Sequence, residues 1–128
     1  MILQYIPPNN LRQVWQQIKP SLEDMAKRST WIVEDAYTDI KEGRAQLYLT
    51  IKDKYFTGYI ITQTLEDKLH VWAAYNINND VLKDGLEATK ELAKQQGLSE
   101  ITFISPRKGW DKIAPKLGFK PSQWVYKL

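Results

Sequence analysis

Few side chains in this 128-residue sequence are suited to proton transfer near neutral pH. His70 is its one histidine, with an ordinary pKa close to working pH, and Glu66 precedes it by four positions. A general base, if the chain has one, is expected from these two, the plainer reading of His70 being a structural or exposed residue. Ser105, in "FISP", offers a hydroxyl to a ligand, although Ser-Pro is also a helix-start signal. With zero cysteines there is no disulfide, no thiolate metal site and no cysteine nucleophile, and one histidine makes a zinc site unexpected.

A second kind of chemistry is suggested by "AAYNINNDVLKDG", residues 73–85, where an alternating segment runs into a helical one. A helix start can hold an anion, because its first N–H groups point outward and its dipole favours negative charge there. The loop carries Asn76, Asn78, Asn79 and Asp80, and its first glycine is Gly85, so the alternative is a helix capped by Asp80 or an asparagine. Lys83 either reaches a phosphate from the first turn or is merely solvated. Further on, Lys108, Lys112 and Lys116 recur every four residues around Trp110, which has a face for stacking on an adenine. Residues 105–128 carry Arg107, Lys108, Lys112, Lys116, Lys120 and Lys127 against Asp111 alone. A basic segment of this kind attracts phosphates or forms a solvated lysine face; no nucleic-acid motif accompanies it, and nucleic acid is not expected as a partner.

The elements that must position these residues follow from periodicity. The length suits one domain over 1–128, and 43% hydrophobic with 26% charged residues is an ordinary globular balance. The opening "MILQYIPPNN" has no charged leader, and no stretch approaches the length of a membrane span, so a cytoplasmic chain without membrane contact is expected. After a short strand, Asn9 or Asn10 caps a helix carrying Leu11, Val14, Trp15 and Ile18, which Pro20 ends or bends. Ser21 or Thr30 starts the next element, with Val33, Ala36, Tyr37 and Ile40 on one face and Gly43 at the end. From Arg44 the period becomes two, with Ala45, Leu47, Leu49 and Ile51 on one side of a half-buried strand. "YFTGYIITQTL" and "LHVWAAYN" continue an antiparallel meander.

A helix with a stripe of Val81, Leu82, Leu86, Thr89, Leu92 and Ala93 then ends at Gly97. "LSEITFIS" is a strand; a short helix follows with Trp110, Ile113 and Leu117 on one face, Pro115 inside and Gly118 at its end; "SQWVYKL" is the closing strand. The order β-α-α-β-β-β-α-β-α-β predicts an α/β fold with helices on a mixed, largely antiparallel sheet.

That order, together with "LSEITFISPRKGWDKIAPKLGFKPSQWVYKL", resembles the GNAT superfamily of acyl-CoA N-acyltransferases, and the "RKGW…KLGF" wording resembles small bacteriophage-encoded GNAT-like proteins. The resemblance spans nearly the whole chain. It implies acetyl-CoA as cofactor, a small-molecule or peptide amine as acceptor, and a cofactor site built from Trp72, Ala73 and Ala74 on the third meander strand, the loop Asn78, Asn79, Asp80, Val81 and Leu82, and Lys83 and Trp110. In the family, a loop of pattern Arg/Gln-x-x-Gly-x-Gly/Ala holds the pyrophosphate. Here it falls on residues 77–82, where Ile77, Asp80 and Leu82 replace the signature residues, so the loop is degenerate. An ionised Asp80 about 5 Å from a phosphate charge would repel it by roughly 3 kcal/mol at an effective dielectric near 20. The tyrosine that many members place four residues before the Leu-Gly-Phe glycine is Ala114. Two functions follow: an acetyl-CoA-dependent N-acetyltransferase, or a GNAT-fold structural or interaction protein of phage type with a protein partner and no catalysis.

Overall fold

The computed structural model describes residues 1–77, 82–103 and 110–120, with backbone alone at 82, 110 and 111. Five strands lie side by side in chain order: β1 (Ile2–Ile6), β2 (Gln46–Lys52), β3 (Tyr55–Leu65), β4 (Lys68–Asn76) and β5 (Glu100–Phe103). The first four pair antiparallel, and β5 runs parallel to β4. Helices α1 (Leu11–Ala26) and α2 (Val33–Lys41) stand between β1 and β2, α3 (Leu82–Gln95) joins β4 to β5, and α4 (Trp110–Lys116) follows β5. This is the mixed, largely antiparallel sheet with flanking helices that the periodicity predicts. The expected closing strand, the loop residues Asn78, Asn79, Asp80 and Val81, and Ser105 lie outside the described residues.

Turn chemistry sets the meander. Asp53 and Lys54 both adopt positive φ, 53° and 71°, in the two-residue turn between β2 and β3, where the twist of the turn matches that of the strands. Glu66, at φ 57°, opens the turn between β3 and β4.

One sheet face, carrying Leu47, Leu49, Tyr59, Ile61 and Ala73, packs on Leu11, Ile18 and Leu22 of α1 and Val33, Ala36 and Ile40 of α2. Leu11, Ile18 and Leu22 are each 0% exposed, contributing roughly 1.5–3 kcal/mol apiece. The opposite face is covered too: Tyr48, Thr50 and Ile60 are buried. The expected half-buried strand is therefore buried on both sides through Leu47–Thr50, because α3 packs on the face that alternation assigned to solvent.

Three local expectations also change. Proline 20 does not end α1, which runs on to Ala26. Its missing N–H would have met the carbonyl of Gln16, and both residues are exposed, so the loss falls on the solvent side while the buried stripe continues. Helix α2 begins at neither Ser21 nor Thr30: Ile32 is its N-cap, and the Asp35 carboxylate accepts the Ile32 N–H at 3.0 Å. On α3 the buried residues are Gly85, Thr89 and Ala93, with Leu86 and Leu92 half-buried beside them. Small side chains bring this helix close to the sheet, and the Thr89 hydroxyl is satisfied by donating to the Gly85 carbonyl at 2.7 Å. Ile113 of α4 is 42% exposed and so stands off the expected apolar face.

Candidate functional site

Strand β4 is paired unequally on its two edges among the described residues. It pairs with β3 along its whole length, from Leu65↔Lys68 to Gly58↔Asn76, and the Ile77 N–H extends the contact by donating to the Thr57 carbonyl at 2.8 Å. On its other edge it pairs with β5 only from Lys68↔Glu100 to Val71↔Phe103. Beyond Val71 no strand among the described residues flanks Trp72–Asn76. The last described pair adjoins a β-bulge: Ile61 pairs with Ala73 and Thr62 with Val71, leaving Trp72 as the extra residue. A bulge bends its strand and re-aims the local backbone groups. Directly across, Thr62 is 0% exposed and its hydroxyl has no partner among the described residues.

The side chains around the opening are largely aromatic. Trp72 meets Trp31, in the α1–α2 connection, at 5.3 Å between ring centroids. Ala73 is buried in the core and Ala74 is exposed. Tyr75, 38% exposed, stacks on Tyr59 at 5.7 Å. Because Ser21 donates its hydroxyl hydrogen to the Ile18 carbonyl, the Tyr59 hydroxyl is the donor in its 2.6 Å bond to Ser21 Oγ. Burial raises the Tyr59 pKa far above the usual phenol value, so it stays neutral.

His70 is half-buried, two positions before the bulge on the same face as Trp72, about 7 Å away along the strand. Its Nδ1 lies 2.9 Å from the Thr102 hydroxyl across the parallel β4–β5 pair. Burial lowers its pKa, favouring a neutral imidazole at pH 7. Glu66 is exposed in the β3–β4 turn, about 20 Å from the bulge along the strand, and is not brought to the opening. Leu82 and Lys83 begin α3, with Lys83 exposed, and Trp110 begins α4. The structure thus gathers His70, Trp72, Ala73 and Ala74, whereas Asn78, Asn79, Asp80, Val81 and Ser105 fall outside the described residues.

Two features escaped sequence reasoning. Lys52, at the β2–β3 turn, forms a close ion pair with Asp84 in the first turn of α3, and the hydrogen bond from Lys52 holds the Asp84 carboxyl below its ordinary pKa. No local pattern signals a pair separated by 32 positions. The bulge at Trp72 likewise has no glycine or proline to announce it. After α4, Gly118 takes φ +93° and Phe119 meets Phe103 edge-on at 4.9 Å, so the Leu-Gly-Phe turn is anchored on β5. Ala114 contributes its carbonyl to that turn, accepting the Phe119 N–H at 3.1 Å. A depression of about 260 Å³ bordered by Lys90, Lys94, Leu98, Ile101, Leu117 and Phe119 lies at the far end of α3 from the opening.

No protein-family model matches the sequence, and no curated protein does. Solved structures do match in fold. A ribosomal-protein-alanine N-acetyltransferase from Brucella melitensis biovar Abortus 2308 superposes with a TM-score of 0.68 at 13% identity, covering 100% of this chain and 98% of that one. The aminoglycoside acetyltransferase AAC(6')-Iy, solved with a CoA-linked bisubstrate analogue, gives 0.66 at 13% identity over 99% and 95%. An aminoglycoside acetyltransferase from an uncultured soil metagenomic sample, solved with sisomicin, gives 0.64 at 12% identity over 99% and 95%. The chain has the GNAT acetyltransferase fold.

Proposed function

We propose that the chain is a CoA-dependent N-acyltransferase acting on an amine, with the opening between β4 and β5 as its active site. The observation that supports this reading is the five-residue run of β4 past its last β5 partner among the described residues, starting at a bulge. The residues present fit the extended amide arm of such a cofactor, since a strand edge with no partner among the described residues offers alternating N–H and C=O groups to an extended ligand. What the thioester supplies when bound is an acyl carbon already activated toward an amine.

The chain's own residues do the rest. Backbone groups at Trp72–Ala74 align the acyl group, and the aromatic face of Trp31, Trp72 and Tyr75 excludes water and orients the acceptor; positioning of this kind supplies much of an acyl-transfer acceleration. His70 accepts the proton released as the amine nitrogen bonds to the acyl carbon. When its Nδ1–H donates to Thr102, Nε2 presents a lone pair, and burial keeps the ring neutral for the task. Ala114 gives no acid, but a thiol of pKa near 8.5 leaves readily as thiolate, so an acid contributes little. Lys83 and the α3 start are the remaining contacts for the phosphates, with Asp80 weakening them.

Calorimetric titration with acetyl-CoA, followed by amide NMR, tests this. Micromolar binding with shifts centred on Trp72, Ala73 and Ala74 is expected, and Asp80→Gly should tighten it about tenfold or more by removing the repulsion. No binding by either protein would overturn the reading and favour an interaction protein that keeps the fold without the chemistry.

A further inference from the structure

We propose that β1 is a self-pairing edge: two copies of the chain join antiparallel through Ile2–Ile6, about a two-fold axis at Gln4, into one continuous sheet. Strand β1 is the outer strand, hydrogen-bonded on one side to β2 through five successive pairs from Ile2↔Ile51 to Ile6↔Leu47. Its other side has no strand partner among the described residues and so offers a template for another strand.

Natural edges are usually blunted by a charge, a proline, a bulge or a covering element. β1 has none of the first three. "ILQYI" contains no charged residue and no proline, and the first charged side chain of the sequence is Arg12. Its register with β2 is unbroken, whereas the β2–β3 and β3–β4 ladders each contain a shift. Nor is it covered: Ile2 is 65% exposed and Tyr5 47% exposed, on opposite faces of the strand.

The occupant follows from the segment's own symmetry. With Gln4 on the axis, Ile2 lies opposite the partner's Ile6, Leu3 opposite the partner's Tyr5, and Gln4 opposite its own copy. Every apolar residue meets an apolar residue, and the central amides can hydrogen-bond to each other. Although the whole chain carries a net charge of +3, no like charges meet along this strand, so a second copy approaches it without local repulsion. Five residues of pairing fall below the area of a standard interface, so the dimer is weak and concentration-dependent. β1 lies three strand spacings from β4, about 14 Å, so pairing leaves the opening beside Trp72 free in both copies.

The test is sedimentation of the full chain from about 10 μM to about 1 mM, with charge variants on the axis. The wild-type mass should rise from 15.0 kDa toward twice that value and stop there, because a two-fold pairing uses up both edges. Gln4→Lys and Gln4→Glu place like charges opposite each other and should each remain monomeric, while their equimolar mixture recovers the dimer. Gln4 is exposed, and circular dichroism checks that both variants fold. A wild type that stays at 15.0 kDa throughout, species larger than a dimer, or a mixture that stays monomeric would each overturn the proposal.

Discussion

Trp31 and Trp72 meet with their rings 5.3 Å apart and inclined at 57°, tying the α1–α2 connection to the bulged residue of β4. One ring belongs to a connection between helices and the other to the point where the sheet opens, so this contact fixes the width of the candidate acceptor face. Each indole is partly buried against the core.

A double-mutant cycle measures that link. Trp31→Ala and Trp72→Ala should each cost about 2–3 kcal/mol in denaturant unfolding, less than a fully buried tryptophan. The double variant should fall short of their sum by about 1 kcal/mol, the coupling expected of an aromatic pair. Strict additivity would mean that the rings are neighbours without being partners.

The histidine at position 70 predicts a pH dependence of definite sign. Burial places its folded pKa below the ordinary 6.5, so between the two values the unfolded chain binds more protons. Its contribution to stability is therefore present above about pH 6.5 and is lost as pH falls through 6.5 toward the folded value. An imidazole titration followed by NMR should give a midpoint below 6.5, and the acid limb of kcat/KM for acyl transfer should share it. A midpoint at or above 6.5 would remove His70 from consideration as a buried base.

Gly58 is a steric prediction. A Cβ built there would sit 1.8 Å from the carbonyl oxygen of Tyr75, on the backbone of the adjoining strand. Neither strand can yield without breaking the ladder that carries Tyr75 and Asn76 to the mouth of the opening. Gly58→Ala should cost about 3 kcal/mol, and acyl-CoA binding should weaken along with stability. A variant as stable as the parent would show that the β3–β4 ladder flexes freely at this pair.

Much of the fold was legible because periodicity is a local property. Leu47, Leu49 and Ile51 alternate as a strand must, and Leu11, Val14, Trp15 and Ile18 recur as a helix must, so the order of elements follows from the sequence. Burial on the second face was not legible, since whether Tyr48 and Thr50 meet water depends on where α3 docks. Alternation cannot report that. Of the two expectations for Pro20, that it ends the helix fails for a related reason: its cost depends on whether the lost hydrogen bond faces solvent. At the candidate site, Trp72, Ala73 and Ala74 were placed by resemblance. The bulge that gives them a distinct role arises from how β4 is held between β3 and β5, and the Lys52–Asp84 pair from two turns meeting in space.

Among the described residues, strand β4 is laced on both edges through Val71 and on one edge from Trp72 onward. Each residue in its second half therefore surrenders fewer backbone bonds when it detaches, and partial opening there costs less than global unfolding. On the proposed reading, the seam along which the sheet would first part is also the route for a ligand, and a bound ligand would act as the missing stitch, protecting from hydrogen exchange the amides that the fold leaves most easily released.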